Sequence, residues 1–384
     1  MTTAHLRPAW AEIDLARIRA NVGHLRRVVA PAAVCAVVKA DGYGHGAVPV
    51  ARAALDGGAR WLAVALVEEG VELRSAGIDA PVLVLSQPPA AAWGDVVEHR
   101  LVPTVDTLAG AEALAERLGT MTEVALPPGS EPRDVGWPVH VKVDTGMHRV
   151  GASPDEVAAL VAAVARSSEL GFHGLWTHLA VSETADRFND VQLERLEEVR
   201  RKLEAAGQVP AMVHAANSGG ALLHAEARLD MVRCGIAVYG YPPAPGVAAD
   251  VDLAPAMSLV AHVSHVSRQP AGERISYGRR YALPADGHIA TVPLGYADGV
   301  PRSLSGAGGE VLIAGRRFPM AGTVTMDQLM VDCGDHPVSP GDEVVLIGRQ
   351  GDEEITAEDW AARVGTISYE ILCGVGPRVR RRYV

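Results

Sequence analysis

One lysine lies where its amine could react. Residues 33–38 form a continuous apolar run, which is typical of a fully buried strand, and Lys39 follows it directly. The segment 39–46 reads KADGYGHG, and its glycines allow a tight turn and close approach of the backbone. The chain has only three lysines, whereas arginine supplies most of the positive charge. Because an amine that can lose its proton is needed for imine chemistry, Lys39 is a candidate for a Schiff base rather than a lysine that merely extends from a strand end.

A second set of residues could bind a phosphate. The segment 214–220, HAANSGG, ends one apolar run and opens a helix, so its serine hydroxyl and free backbone N–H groups could surround an anion. The segment 233–236, RCGI, ends the next apolar run and adds a cation and a further glycine. A simple helix cap at Asn217 and Ser218 is the alternative interpretation. Their position after the last two of eight strands favours a phosphate site.

A third set alternates polar and apolar residues. His140, Lys142 and Asp144 alternate with valines, so the polar side chains should face the inside of a barrel. A buried Lys142 needs a partner or a neutralising modification, and Asp144 is the simplest partner. Arg149 follows on a loop, where it could bind a carboxylate. Together, the three sets indicate Schiff-base chemistry on a sugar phosphate, as in a class I aldolase, or with pyridoxal phosphate on an amino acid.

The elements that position these residues alternate between strands and helices. Strands are predicted at 34–38, 61–66, 82–85, 101–105, 138–143, 171–176, 211–214 and 229–233. Helices are predicted at 47–57, 67–76, 89–98, 106–119, 153–167, 185–206 and 218–225, and an insertion at 123–137. This pattern predicts an N-terminal (β/α)8 barrel, and no Gly-x-Gly-x-x-Gly motif supports a dinucleotide fold.

The composition changes after a proline-rich linker at 241–246. Short alternating runs then predict a mostly-β C-terminal domain with a small helix near 357–364. We therefore expect a barrel domain over 1–245 and a β-rich domain over 246–384.

The net charge, the cysteine spacing and the lengths of the apolar runs argue against several classes of protein. The formal net charge of −11 argues against a nucleic-acid surface, and the four cysteines have no metal-ligand or paired spacing. No apolar run is long enough to span a bilayer, and the first 30 residues lack the apolar region of a signal peptide. We expect a cytoplasmic protein without a metal, a nucleic-acid partner or a membrane partner.

The motifs resemble those of bacterial alanine racemases along essentially the whole chain. The matching segments are AVVKADGYGHG at 36–46, KVDTGMHR at 142–149, HAANS at 214–218, RCGIAVYG at 233–240, SYG at 276–278, GYADG at 295–299, TMDQ at 325–328 and ISYE at 367–370. The resemblance implies a pyridoxal-phosphate-dependent racemase of fold type III that supplies D-alanine for peptidoglycan. It also implies a head-to-tail homodimer, in which the β-rich domain of one subunit completes the active site of the other.

The resemblance assigns catalytic roles. Lys39 would form the internal aldimine and act as the base on the D-alanine face, and Tyr277 of the other subunit would act on the L-alanine face. A hydrogen-bond chain would run from Tyr277 through His178 to Arg233. Arg233 would also face the pyridine nitrogen and leave it unprotonated, since an arginine does not readily give up its proton. An unprotonated pyridine ring withdraws electrons less strongly than a protonated one, which disfavours transamination and decarboxylation.

The resemblance also assigns binding roles. Arg149 and the backbone N–H of Met326 would hold the substrate carboxylate, and Tyr296 with Tyr369 would narrow the entrance. Lys142 matches a position that is carbamylated in some relatives. The cofactor phosphate would be bound by Tyr43, Ser218, Gly235, Ile236 and Tyr369.

Two segments depart from the family pattern. Thr325 stands where many relatives have cysteine, and the segment 179–186 differs from the expected sequence at the substrate entrance. A racemase of broader range, accepting serine or another small or basic amino acid, is one alternative. A fold-type III decarboxylase is another, although it calls for an acidic residue at Arg233. A barrel-only pyridoxal-phosphate carrier would lack residues 246–384.

Overall fold

The computed structural model describes residues 7–121, 124–130, 136–247 and 251–384. These residues form two units, a barrel and a β-rich unit. The right-handed α-helices are α1 (Leu15–Val29), α3 (Ala47–Asp56), α4 (Val67–Ser75), α5 (Trp93–Glu98), α6 (Leu108–Gly119), α7 (Val157–Arg166), α8 (Phe188–Ala205), α9 (Ser218–Leu223), α10 (Ala357–Val364) and α11 (Ser368–Gly374). The short segment α2 (Lys39–Tyr43) has left-handed backbone angles at Ala40, Asp41, Gly42 and Tyr43. Short 3-10 helices cover Ala90–Ala92, Ala225–Ala227, Ile236–Tyr239, Tyr277–Arg279, Tyr296–Asp298 and Arg302–Gly306.

The strands separate into the same two units. In the first two thirds of the chain they are β1 (Ala9–Ile13), β2 (Ala33–Val37), β3 (Trp61–Val64), β4 (Val82–Val84), β5 (Val102–Val105), β6 (Trp137–Lys142), β7 (Leu170–Trp176), β8 (Met212–His214) and β9 (Met231–Cys234). They continue as β10 (Met257–His262), β11 (His265–Gln269), β12 (Arg274–Ile275), β13 (Tyr281–Ala282), β14 (Gly287–Val292), β15 (Glu310–Ile313), β16 (Arg316–Pro319), β17 (Leu329–Gly334), β18 (Glu343–Gln350), β19 (Glu353–Ile355) and β20 (Arg380–Tyr383).

The barrel is an eight-stranded parallel sheet in the order β8-β7-β6-β5-β4-β3-β2-β9. Two hydrogen bonds join its end strands, from Asp230 N–H to Val213 O at 3.1 Å and from Arg233 N–H to Ala216 O at 2.9 Å. The strands β3, β4 and β5 are buried at every position, which is why they read as continuous apolar runs. The predicted (β/α)8 barrel followed by a mostly-β part is confirmed.

One helix begins later than its sequence signal predicts. The segment from Ser153 to Glu156 carries a capping pattern, and the Ser153 hydroxyl donates to Glu156 Oε2 at 2.7 Å. The α-helix nevertheless begins at Val157, because the preceding residues form a separate turn. Of the insertion predicted over 123–137, residues 123 and 131–135 lie outside the described part of the chain.

The β-rich unit has three sheets. The largest runs β16-β15-β18-β10-β1-β20 with β19 paired to β18, and the others are β11-β14-β17 and β12-β13. The helix expected near 357–364 is α10, and α11 is an additional helix that the sequence patterns did not predict.

The two compact units are not each one continuous stretch of the chain, and the domain bounds 1–245 and 246–384 stay a prediction. The barrel unit extends to Ala254, and the β-rich unit begins again at Pro255. The β-rich unit also includes the described residues up to Arg17, because β1 pairs antiparallel with β10, as well as the turn Tyr43–Gly46. Within the residues that the structure describes, no helix is both long and apolar enough to cross a membrane.

Candidate active site

Lys39 is followed by a left-handed turn. Ala40, Asp41 and Gly42 have φ angles of 53°, 52° and 59°, and Tyr43 continues the series at 52°. Left-handed geometry costs roughly 1–2 kcal/mol for each non-glycine residue, so three of these four residues are strained. Strain of this kind persists only where surrounding contacts impose it, and it concentrates at functional sites.

Two side chains impose this geometry. Glu69 accepts the Ala40 N–H at 2.6 Å through Oε1 and the Ala65 N–H at 2.8 Å through Oε2. Asp41 accepts the Ala47 N–H at 2.8 Å. Glu69 was not among the residues that sequence reasoning selected, because its pattern at the start of α4 is that of an ordinary exposed helix. It ties the residue after Lys39 to the next strand-to-helix connection of the barrel.

Arg233 is the cation buried at the centre of the barrel end. Its Nη1 donates to His214 Nδ1 at 2.7 Å, and its Nη2 contacts His178 Nδ1 at 3.2 Å. Nη2 also donates to the carbonyl oxygens of Thr177 at 2.8 Å and Ala215 at 3.0 Å. Burial lowers the pKa of Arg233 to about 10, which leaves it charged at neutral pH. The pairing of His178 with Arg233 that the resemblance implies is present as a contact.

A row of histidines continues from Arg233 into the barrel. His214 Nε2 lies 2.9 Å from His140 Nδ1, and His140 Nε2 lies 3.0 Å from His173 Nδ1. A guanidinium group only donates, so His214 must accept at Nδ1 and carry its proton at Nε2 when neutral. The same logic fixes His140, and both imidazole dipoles therefore point their negative ends toward Arg233.

His140, His178 and His214 stay neutral. Burial, followed by neighbouring positive charge, lowers the pKa of His140, His178 and His214 well below the usual value. For His178 the cations are, in order, Arg233, Arg149, Lys142 and Lys39. His178 is therefore close to four of the candidate residues, and its neutral ring can accept a hydrogen bond from Arg233.

Lys142 is buried, as predicted, but its expected ion pair with Asp144 is absent. No carboxylate in the described part of the chain lies within 4 Å of Lys142, whose Nζ is 4.4 Å from the ring centre of Trp176. Asp144 instead accepts the N–H groups of Gly146 at 2.9 Å and His148 at 3.0 Å. Short side chains such as aspartate form local backbone hydrogen bonds readily, and that competition removes the partner. Burial and then the charge of Arg233 lower the pKa of Lys142 to about 7.

Arg149 extends from the loop after β6 and is exposed. Its charge depresses the pKa of both Lys142 and His178, which places it near them. Within the described residues it forms neither a hydrogen bond nor an ion pair. An exposed guanidinium with no protein partner is suited to bind a carboxylate in two-pronged geometry.

Three of the five predicted phosphate residues, Ser218, Gly235 and Ile236, follow the ends of β8 and β9. The Ser218 hydroxyl accepts the N–H of Gly235 at 3.0 Å and of Ala237 at 3.4 Å, so its own proton is available to an anion. Ile236 opens a 3-10 helix, where the first N–H groups have no acceptor within the helix. A side chain on Gly219 would lie 2.7 Å from the Ser182 hydroxyl, so glycine is required there.

Tyr277 belongs to the β-rich unit and is 74% exposed. The preceding residue, Ser276, has φ 64° and ψ −174°, a region that non-glycine residues rarely occupy. The Ser276 hydroxyl donates to Thr323 O at 2.7 Å, and the Thr323 hydroxyl donates to Tyr277 O at 2.9 Å. Two hydrogen bonds to one residue thus hold a strained backbone that presents a large aromatic side chain to solvent.

The remaining candidates also lie in the β-rich unit. Met326 is 52% and Tyr296 is 42% exposed, and the Tyr296 N–H donates to Thr325 O at 2.9 Å. The rings of Tyr43 and Tyr369 have centres 6.1 Å apart. The structure therefore groups Tyr277, Tyr296 and Met326 around the segment 323–328, and Tyr43 with Tyr369.

Sequence reasoning missed the residues that support these groups. Trp176 lies beneath the Lys142 Nζ and also 4.5 Å from the Cζ of Arg233, so one ring faces two cations. His173 is the one strongly polar residue of β7, LGFHGLW, so the alternation of polar and apolar residues that indicated His140 is absent around it. In the described residues no group of histidine, cysteine and acidic side chains is arranged to hold a metal ion.

Comparisons with known proteins cover the whole chain. The family described as alanine racemase, N-terminal domain, matches residues 13–243, and alanine racemase, C-terminal domain, matches residues 256–383. An alanine racemase of Symbiobacterium thermophilum is 50% identical over 383 residues, covering 98% of this chain and 97% of the relative.

Solved structures have the same fold. Alanine racemase from Streptomyces coelicolor A3(2) has a TM-score of 0.91 at 40% identity, with 99% of each chain covered. Histidine racemase from Leuconostoc mesenteroides has a TM-score of 0.89 at 28% identity, with 100% of each chain covered. With both family domains present in order and a relative 50% identical over nearly all of its length, the chain belongs to the alanine racemase family.

Proposed function

We propose that the protein interconverts L-alanine and D-alanine with pyridoxal phosphate held at the C-terminal end of the barrel. The observation that carries this proposal is Arg233, a buried cation that donates to a neutral His214 and contacts a neutral His178. The resemblance to a decarboxylase of this fold would call for an acidic group at that position.

The residues of this chain fit the cofactor. Lys39 supplies an amine for its aldehyde, Arg233 a cation for its ring nitrogen, and Ser218, Gly235 and Ile236 an anion site with a hydroxyl proton to donate. Tyr43 and Tyr369 contact each other and would add to the phosphate site. When bound, the cofactor draws electrons from the Cα–H bond of the amino acid that it carries and makes that proton removable.

Racemisation then requires proton transfer on both faces of Cα. The Lys39 Nζ removes or returns the proton on the face that D-alanine presents, and the Tyr277 hydroxyl does so on the opposite face. In the proposed chain of hydrogen bonds, His178 would contact the Tyr277 hydroxyl of the partner subunit on one side and Arg233 on the other. Arg233 donates a hydrogen bond without giving up its proton, so negative charge at Cα is only weakly stabilised. The Cα atom therefore takes up a proton again quickly, which disfavours transamination and loss of CO2.

The substrate carboxylate is held by Arg149 and by the backbone N–H of Met326. Arg149 is exposed and close to His178, and the carboxylate would thereby be placed between a guanidinium and a backbone donor. Holding the carboxylate fixes Cα between the two bases, which is the main contribution that binding can make to this reaction.

A head-to-tail homodimer explains the exposure of the β-rich candidates. Tyr277, Tyr296 and Met326 are large apolar or aromatic side chains with exposed fractions between 42% and 74%. Contiguous exposed side chains of this kind mark interaction surfaces. In the proposed dimer, they enter the barrel end of the partner subunit and complete its site.

Lys142 would be carbamylated in this assembly. Its neutral Nζ attacks CO2, a C–N bond forms, and one proton is released to solvent, which leaves a carbamate anion. A pKa of about 7 makes the neutral amine abundant at physiological pH. The carbamate would replace a buried cation by an anion able to orient Arg149.

The titration of unmodified Lys142 gives a pH-dependent stability. Its pKa of about 7 in the folded chain is below the usual 10.5, so between these values the unfolded chain binds a proton that the folded chain does not. The free energy of unfolding should therefore rise with pH over this window, by at most on the order of 5 kcal/mol. Urea unfolding in CO2-free buffer at pH 7 and pH 9.5 measures this slope, and Lys142→Met should remove it. An equal slope in both proteins would contradict the burial of a titrating amine at this position.

The function itself is tested by incubating the purified chain with pyridoxal phosphate and L-alanine. Chiral chromatography should detect D-alanine rising until both enantiomers are equal, with neither pyruvate nor ethylamine formed. L-serine and L-histidine belong in the same panel, because a histidine racemase has this fold. Faster turnover of either would favour the broader-range alternative, whereas ethylamine would indicate a decarboxylase.

The cellular compartment of the enzyme is also part of the proposal. No disulfide joins the described cysteines, which suits a reducing compartment. We place the enzyme in the cytoplasm, where D-alanine would feed peptidoglycan synthesis.

A further inference from the structure

A row of alternating charges in the β-rich unit leads to the loop 325–328. Asp298 is fully buried and accepts a hydrogen bond from Arg7 Nη1 at 2.8 Å. The Nε of Arg378 lies 3.4 Å from Asp298 Oδ1, and Arg378 Nη2 donates to Asp327 Oδ1 at 2.6 Å. The order is Arg7, Asp298, Arg378, Asp327, and the last of these is the residue after Met326.

Asp298 fixes the turn in which it lies. A buried carboxylate is costly unless cations and hydrogen bonds surround it, and Asp298 has both arginines and the Gly295 N–H at 3.0 Å. Arg7 also donates through Nε to Pro293 O at 2.8 Å. The turn 293–299 is therefore held by one carboxylate at its centre.

That turn holds the backbone of the loop. The Tyr296 N–H donates to Thr325 O at 2.9 Å, and the Ala297 N–H donates to Met326 O at 3.0 Å. A Cβ on Gly295 would lie 2.3 Å from Thr325 O, so only glycine permits this approach. The carbonyl of Met326 is thus fixed in direction, and with it the adjoining peptide planes.

The N–H of Met326 has no hydrogen-bond partner among the residues that the structure describes. The loop closes at its base, where the Thr325 N–H donates to Gln328 O at 2.9 Å. Among the described residues, none accepts a hydrogen bond from the Met326 N–H, and the side chain is half exposed. A backbone donor held in place but unused is a ready-made site for a carboxylate oxygen.

We propose that Arg378 is a positioning residue for the substrate carboxylate, because it ties Asp327 to the buried Asp298 and thereby orients the N–H of Met326. The inference rests on the proposed function, in which this N–H binds the carboxylate. Arg378 does not touch the substrate. It acts through the loop, and its planar group spans two carboxylates that the single ammonium of a lysine cannot bridge in the same geometry.

The test uses two exposed members of the row and a matched control. In Arg378→Gln and in Asp327→Asn, the KM for L-alanine should rise about three- to tenfold, while kcat stays within about twofold, because binding is lost equally in ground and transition states. The double variant should show no further rise, since both changes remove one contact. Arg378→Lys should be intermediate. Arg380→Gln, which removes an exposed arginine two residues away, should leave KM unchanged.

Hydrogen exchange of the segment 325–328, followed by mass spectrometry without substrate, gives a readout independent of activity. Exchange should be several-fold faster in Arg378→Gln than in Arg380→Gln. Unchanged exchange would overturn the inference whatever the kinetics, and faster exchange with an unchanged KM would overturn the link to the carboxylate. Failure of the proposed function is distinct, because the unsubstituted protein would then not racemise alanine at all.

Discussion

Replacing Lys39 with alanine should abolish racemisation in both directions, by about 10⁴-fold or more, since the same amine binds the cofactor and moves a proton. Lys39→Arg should be equally inactive, because a guanidinium keeps its proton and does not form an imine at neutral pH. The measurement is the initial rate of enantiomer formation from either pure enantiomer.

The control is Lys202→Ala. Lys202 is on an exposed helix face and pairs with Glu198 at 2.7 Å, and exposed pairs of this kind contribute little. Its loss should leave the rate unchanged. Borohydride treatment of the unsubstituted protein with pyridoxal phosphate should attach the cofactor to the peptide containing residue 39 alone. Label on another lysine, or activity in Lys39→Ala, would refute the assignment.

The barrel could be predicted from the sequence because its signal is local. Strands of a closed parallel barrel are covered on both faces, so they read as apolar runs at the ends of which polar residues begin. That placed Lys39 and Arg233 at the ends of strands and the side chain of Lys142 inside the barrel. The strand β1 could not be predicted in the same way, because its partner, β10, is some 250 residues away, with Ala9 opposite Ala261.

The types of the site residues could be predicted from the sequence, but the contacts that hold those residues in place could not. The glycines after Lys39 indicated a tight turn, yet the left-handed geometry of Ala40 and Asp41 contradicts their local preference. It depends on Glu69, which comes from another element of the barrel. Likewise, proximity in sequence paired Lys142 with Asp144, whereas closer backbone donors at Gly146 and His148 take the Asp144 carboxylate. The conformational preference of a residue does not predict its geometry where a side chain distant in sequence forms hydrogen bonds with its backbone.

Tyr277→Phe should slow both directions of racemisation equally, by about 10²- to 10⁴-fold, because each direction needs both bases in turn. In D2O, the variant should nevertheless exchange the α-proton of one enantiomer and not that of the other. D-alanine should still exchange its α-proton through Lys39, whereas L-alanine should not, and proton NMR of recovered alanine measures this. Full racemisation in Tyr277→Phe, or equal exchange from both enantiomers, would show that the two-base assignment is wrong.

Mixing two inactive variants tests whether Tyr277 acts on the partner subunit. In a dimer of one Lys39→Ala and one Tyr277→Phe chain, the barrel that keeps Lys39 meets the unsubstituted Tyr277 of the other chain, so one of two sites is intact. Random reassociation makes half of the dimers mixed, and activity should return to about a quarter of the unsubstituted level. If both bases came from one chain, every mixed dimer would contain only damaged sites and no activity would return. The exposure of Tyr277 on a strained backbone, held by Thr323, favours the shared site, because such a residue is held ready for a partner outside its own chain.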